Sequence, residues 1–474
     1  MKLTSAALAL LIGCTGLPGP RSDRPGSLHR RAATESWHAL EDPSDADTLP
    51  SGPLTLEQAL DIARARNPDL QIAEQRIRQA EEGRREVAAT LLPTLSVDTG
   101  YVRADAPSVY LFKTIDARRL RPGTSFNRPG TFENFEAGVT ARYNLFNGGQ
   151  DRLAGEIAQA DHELSQFDRS AVMNALLANV ILSYFDVQVA EAIAEATGAT
   201  TETVRAQLRE TEVKWREGRV LKSDVLSLEV RLAGAEEQRI RAENARRLAA
   251  ASLANLLGFE PSVAIDLSGD EWPAIEVPPV YEDGLAEALL NRPELQQARL
   301  RIDRANLALA ASRRAYLPRV DLEARAYWDD PDFELSTTRT NWFAGIALSW
   351  DIFQGGRRAA SARRTEALLE EMQAGDRRQV LAIQLEVKRA YLSLEEARAR
   401  VAVTEASVAQ AEETLTLVRT QYEGGTATVT RYLETELAWT QAKVRRSHAL
   451  FDLRKAQAEV ARALGHFSDA SDMK

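Results

Sequence analysis

The chain is written twice. Pro68 and Pro93 recur as Pro293 and Pro318, both 225 residues further on. Leu145-Phe146-Asn147-Gly148-Gly149 recurs as Ile352-Phe353-Gln354-Gly355-Gly356, but 207 residues on, and Tyr184/Tyr391, Gly218/Gly425 and Leu257-Gly258/Leu464-Gly465 keep that second spacing. A repeat this long means that one supersecondary unit is built two times. The registers differ by 18 residues, so one connection between Pro93 and Leu145 is longer in the first copy.

The apolar period changes within each copy. Thr55 and Gln58 have capping-box spacing, which starts a helix there. Leu92-Pro93 and Leu317-Pro318 end helices, because proline disfavours helical geometry in the residue before it. Strict alternation follows. Leu95, Val97, Thr99 and Tyr101 share one face, and Phe135, Ala137, Val139, Ala141, Tyr143 and Leu145 share another. Copy two repeats this with Val320, Leu322, Ala324, Ala326 and Trp328, then with Trp342, Ala344, Ile346, Leu348 and Trp350. Period two predicts β-strands. After each Gly-Gly pair the helical period returns, without proline from Gly130 to Glu260 or from Asp332 to Lys474. Heptad stripes (Leu221, Leu228, Ala235, Ala242, Ala249, Leu256; and Leu437, Val444, Phe451, Ala458) mark helices packed along their length. Each stretch is broken near its middle by glycine, at Gly218 and at Gly424-Gly425. Gln150 to Glu217 alone would run roughly 100 Å at ~1.5 Å per residue.

The predicted organisation is a signal peptide over 1–13, a Pro/Gly/Ser-rich linker over 14–53, a first repeat over 54–260, a linker over 261–283, a second repeat over 284–466 and a tail over 467–474. Strands are expected near 94–103, 134–146, 319–328 and 341–353, and helices near 55–92, 150–257, 285–317 and 357–464. Met1-Lys2 followed by an apolar run to Ile12 and Gly13 is an export signal. Leu11-Ile12-Gly13-Cys14 resembles the lipobox of bacterial lipoproteins, which implies lipid attachment at Cys14; the alternative is an ordinary signal peptide with an incidental cysteine. With one cysteine, no intrachain disulfide can form.

The charge balance is acidic, 59 basic against 69 acidic residues, which argues against a nucleic-acid partner. Beyond the leader no stretch reaches the ~18–20 uncharged apolar residues of a membrane helix, so a membrane would be crossed by strands. Four strands cannot close a barrel, and an open edge in lipid costs several kcal/mol per unsatisfied backbone group. The edges must then pair with sister copies, giving eight strands or twelve. A soluble hairpin domain on a coiled coil is the alternative for the same alternation.

Leu54-Thr55-Leu56-Glu57-Gln58-Ala59-Leu60 through Asn67-Pro68, Arg292-Pro293-Glu294-Leu295, both Leu-Pro strand starts, both Phe-x-Gly-Gly strand ends and both terminal Leu-Gly pairs resemble the TolC-like outer-membrane channel family, in order and in duplicate. The resemblance implies a mostly α fold with transmembrane β: a homotrimer with a twelve-stranded barrel in outer-membrane lipid and a periplasmic α-helical barrel. It implies an export duct of a tripartite efflux pump or type I secretion system, docked on a periplasmic adapter protein and an inner-membrane pump. It places Gly218, Arg219, Val220, Gly424, Gly425 and Thr426 at the periplasmic tip, in contact with the adapter. Some members close the aperture with acidic residues six and nine positions after the second tip glycine. Those positions are Arg431 and Glu434, with Asp224 and Ser227 in copy one, so Asp224, Arg431 and Glu434 are gate candidates through Arg431–Asp224 or Arg431–Glu434 pairing; a solvated helix face is the alternative. Residues 104–133, the longer loop, are expected outside the cell.

No enzyme motif, metal site or cofactor site is legible. His162-Glu163 lacks a second histidine at zinc-protease spacing, and neither Gly-Gly pair has the Lys-Ser/Thr of a phosphate loop. The competing class is a periplasmic coiled-coil structural or adapter protein, which would show one hairpin rather than a duplicated unit.

Overall fold

Thr55 starts the fold as its sequence predicts. Its hydroxyl accepts from the Gln58 N–H at 3.2 Å while Gln58 Oε1 accepts from the Thr55 N–H at 3.1 Å, a reciprocal capping box. The computed structural model describes residues 52–268, 275–332 and 340–468. Met1–Leu54 and Thr55–Lys474 are separate units. The expected signal peptide, nearly all of the linker after it and Cys14 lie outside the described residues.

Helix α1 spans Leu56–Arg66 and α2 Pro68–Ala89. The single helix expected over 55–92 is therefore two, because Pro68 has no N–H to donate and forces Asn67 to extended backbone (φ −60°, ψ 127°). Strand β1 (Thr94–Ala104), a short helix α3 (Pro107–Asp116) and strand β2 (Phe132–Phe146) follow. Two long helices, α4 (Gln150–Arg216) and α5 (Lys222–Leu256), complete the first copy. The second copy comprises α6 (Tyr281–Asn291), α7 (Pro293–Arg314), β3 (Arg319–Asp330), β4 (Thr340–Ser349), α8 (Arg357–Glu423) and α9 (Val429–Leu464). Helix 285–317 is likewise split, at Arg292-Pro293, and strand 341–353 stops at Ser349. Helix α3 was not foreseen in the 104–133 loop.

The duplication extends into the packing. Ala63, Leu70, Leu176, Val180, Val187, Leu253 and Leu257 are buried in copy one; their sequence counterparts Ala288, Leu295, Ile383, Val387, Leu394, Val460 and Leu464 form the buried cluster of copy two. Each such aliphatic contributes about 1.5–3 kcal/mol on burial. The residue before each helix-breaking proline then ties the kink to the end of the last helix of its own copy. Asn67 Nδ2 donates to Leu256 O at 2.9 Å, and Arg292 Nη1 donates to Ala463 O at 3.2 Å, at equivalent positions. The two tyrosines at the 207 spacing hold the inter-repeat linker: Tyr184 donates to Ser268 O at 3.1 Å and Tyr391 to Pro278 O at 2.9 Å.

The heptad stripes are buried only in part. Leu228, Ala235, Ala242 and Ala458 are buried, but Leu221 and Leu437 are exposed at 71% and 41%. Helix α4 holds one window apolar enough for a membrane (mean hydropathy 1.4), yet 67% of it is buried; with Met173, Leu177, Ile181 and Phe185 among its fully buried side chains, α4 is core.

Candidate functional site

The sheet has order β1-β2-β3-β4, antiparallel throughout, and β2–β3 is the seam between the two copies. Directly opposed residues point to the same face. The register aligns Leu95 with Ala141, Val97 with Val139, Ala141 with Ala324 and Val139 with Ala326, then Ala324 with Ala344 and Leu322 with Ile346. One face is therefore apolar across all four strands. Leu95, Val97, Trp342, Ile346 and Leu348 stand 67–78% exposed on it, with nothing among the described residues to cover them. That is the lipid-facing pattern of a membrane barrel.

The opposite face is polar and internally paired. Arg325 Nη2 bridges Asp98 and Glu136, both at 2.5 Å, across three strands. Arg142 meets Glu323 at 3.3 Å, and Asn144 Nδ2 donates to Asp321 at 2.8 Å. Gly138 lies beneath this lattice; a Cβ there would sit 3.2 Å from Arg325, Asp98 and Tyr327 atoms. In a closed barrel this face lines the lumen. Helix α3 lies on it too. Lys113 pairs with Glu136 and, at 2.8 Å, with the fully buried Asp329. Tyr327 donates to the Asp116 carboxylate at 3.3 Å, Asn341 Nδ2 donates to Asp116 O at 3.0 Å, and Tyr110 meets Phe132 edge-on at 5.3 Å. Glu136, Tyr327, Asp329, Asn341 and Phe132 all share the polar face by register. The 104–133 segment thus does not extend wholly away from the sheet. Its helix folds back over the lumenal side, a placement that only long-range pairing could disclose; Pro107 ahead of the Val109/Phe112 spacing was its one local signal.

At the far end of the long helices the sequence-predicted tip residues occupy two turns. Gly218 (φ +74°) closes α4 and Gly425 (φ +74°) closes α8, whereas Gly424 sits at φ −77° and needs no left-handed backbone. A Cβ at Gly218 or Gly425 would meet nothing within 4 Å, so space is open and backbone sign alone favours glycine. Arg219 pairs with Glu217 at 3.2 Å, Val220 lines a cleft with Lys214 and Tyr432, and the Thr426 hydroxyl donates to Gln421 O at 3.0 Å. Asp224 accepts from the Leu221 N–H at 3.1 Å as a helix cap. The Arg431 N–H donates to the Thr428 hydroxyl at 3.3 Å. Among the described residues no ion pair joins Arg431 to Asp224 or Glu434 within the protomer; Asp224 is committed to capping. Sequence reasoning missed the bonds that hold the two hairpins together here. Gln207 donates to Glu436 at 2.8 Å and Arg231 to Leu433 O at 3.0 Å, while within the second hairpin Tyr422 stacks on Tyr432 at 5.3 Å across the turn. Among the described residues no group of three His, Cys, Asp or Glu side chains is placed to hold a metal ion.

Comparison with known proteins agrees with this architecture. The family model described as "Outer membrane efflux protein" matches residues 59–259 and 284–466, one block per copy. The chain is 25% identical over 443 residues to the pyoverdine export outer membrane protein OpmQ of Pseudomonas aeruginosa, covering 92% of this chain and 90% of that one. It is 27% identical to protein CyaE of Bordetella pertussis, covering 90% and 86%. Among solved structures it resembles the Campylobacter jejuni CmeC outer membrane channel (TM-score 0.77, 18% identity, 88% and 86% covered) and CusC (TM-score 0.75, 17% identity, 94% and 98% covered), a likeness of fold. Matched in both of its repeats, and carrying a sheet with one lipid face and one lumenal face, the chain belongs to the outer membrane efflux protein family and is an export channel subunit of the outer membrane.

Proposed function

We propose that three copies of the chain close a twelve-stranded barrel in the outer membrane and continue it as a helical barrel in the periplasm, forming the passive outer duct of a tripartite efflux pump or type I secretion system. The observation that carries this is the sheet: β1 and β4 end it with edges that have no partner among the described residues, and lipid does not tolerate such edges. Family membership supports three copies over two. The heavily exposed apolar residues along the helices, such as Val230 at 75% and Val403 at 69%, supply further surface for sister copies.

The turns at Gly218, Arg219 and Val220 and at Gly424, Gly425 and Thr426 form the tip that meets a periplasmic adapter, and through it an inner-membrane pump. Asp224, Arg431 and Glu434 stand near the aperture, where charges from neighbouring copies can pair. Cys14 carries the lipid anchor, which palmitate incorporation into the chain but not into Cys14→Ser would register. OpmQ is an exporter of pyoverdine; this chain's own cargo is a drug, a metal ion or a protein, delivered to it by its pump.

The deciding experiment is extraction from outer membranes. A heat-labile oligomer of three chains is expected; a monomer without affinity for bilayers would overturn the duct. Gly218→Val with Gly425→Val should then abolish export while the oligomer persists, and normal export from that variant rejects adapter contact at the tip.

A further inference from the structure

Helix α3 presents a second face. Tyr110, Lys113 and Asp116 turn to the sheet, and Phe112 and Ile115, three residues apart, turn away from it, exposed at 66% and 44%. Two large apolar side chains thus stand over the polar, water-lined side of the sheet, where Asp98, Glu136 and Arg325 pair below them. A loop with no task in the lumen would be expected to keep polar residues there. α3 follows Ala104, the end of β1, and precedes Phe132, the start of β2, so it sits at the mouth opposite the long helices. In a closed oligomer each copy delivers the same pair into one lumen.

We propose that Phe112 and Ile115 from the sister copies form an apolar ring at the outer mouth of the duct, held there by the Lys113–Glu136–Asp329 pairing, and that this ring decides what passes. It rests on the trimeric duct reading above. An apolar constriction dewets and so holds back small hydrated ions, while cargo with apolar surface displaces no bound water there and crosses. The ring's partner is the same face of the sister copies, drawn together across the axis when no cargo lies between them.

The test must not depend on the tip aperture, so it approaches from outside. Ser96 lies on the polar face two residues from the start of β1, at the end away from α3, and is exposed. In whole cells a bulky sulfonated maleimide dye, larger than general diffusion pores pass, reaches a thiol introduced by Ser96→Cys only through the mouth. The rate is corrected with the chain lacking that change, whose single cysteine is Cys14. Adding Phe112→Ser and Ile115→Ser should speed labelling about tenfold, as a barrier lowered by about 1.4 kcal/mol would. Both positions are exposed, so folding is not at stake. Equal rates, fast or slow, from chains that light scattering shows to be trimers overturn the ring alone. A mass other than three chains for the unaltered protein overturns the ring together with the duct reading beneath it.

Discussion

Replacing Arg292 by methionine should destabilise the protein far more than replacing its counterpart Asn67 by alanine. The two residues hold equivalent positions, before Pro293 and Pro68, and each ties a kink to the end of a long hairpin. Their chemistry differs. Arg292 is 4% exposed and donates to Glu294 at 2.8 and 3.1 Å, to Glu386 at 3.1 Å, and to the carbonyls of Arg462 and Ala463 at 3.3 and 3.2 Å. Burial alone would lower the pKa of its guanidinium, yet Glu294 and Glu386 carry it above the ordinary value. Removing one member of a buried charge network costs about 3–5 kcal/mol, because its partners are left desolvated. Glu386 keeps Arg462 at 2.8 Å, and both glutamates retain about a quarter of their exposure, which places Arg292→Met toward the lower figure. Asn67 makes one neutral bond to Leu256 O and caps α2 through the Asp69 N–H at 2.8 Å, and losing these costs roughly 1–2 kcal/mol. Unfolding of an oligomeric membrane protein is not two-state, so the assay is the ranking of apparent melting midpoints of the detergent-solubilised oligomer at one scan rate. Arg292→Met should melt well below Asn67→Ala, and both below the unaltered chain. Equal midpoints, or the reverse order, would refute the view that buried charge rather than position sets the strength of the knot.

Gly284 is buried against Tyr391, and a Cβ there would collide with the hydroxyl that donates to Pro278 O. Gly284→Ala should therefore cost about 1–3 kcal/mol from displacement and a lost bond, exceeding the ~1 kcal/mol of Tyr391→Phe, as melting midpoints would show. Arg246 and Arg247 hold the Glu243 carboxyl at about 2, below its usual 4.5. A lowered acid stabilises above its unfolded pKa and loses that contribution as pH falls through its folded one. Glu243→Gln should thus lower the melting midpoint at pH 7 and change it much less near pH 2, where the carboxyl is half protonated; an equal change at both would contradict the pairing. Single-channel conductance of Arg431→Ala and Glu434→Ala should rise if these residues narrow the aperture, and unchanged conductance in both would remove them from it.

Much of this protein was legible because it is locally written. The Leu95/Val97/Thr99 alternation, the Thr55/Gln58 cap, the helix breaks at Pro68 and Pro293 and the glycines at 218 and 425 each depend on neighbours a few residues away. The same local rules misjudged extent. The helices over 55–92 and 285–317 break at their prolines, and β4 stops short of 353, because beyond Ser349 the chain has no partner across from it on β3. Helix α3 escaped notice inside a segment rich in arginine, proline and glycine. Its bond from Lys113 to Asp329 joins residues 216 apart, a separation at which periodicity says nothing.

By itself the sequence determined that one unit is built twice, that each unit changes from helix to strand to long helix, and that four such strands leave two unpaired edges. Period and punctuation are properties of the backbone and of immediate neighbours, so they survive in one dimension. Tertiary structure alone decided that β2 and β3 form the seam, that their polar residues meet in a charged lattice, and that α3 folds over that lattice with two apolar side chains turned away. Those outcomes depend on which distant charges can desolvate together, and that is settled only when the strands are in register.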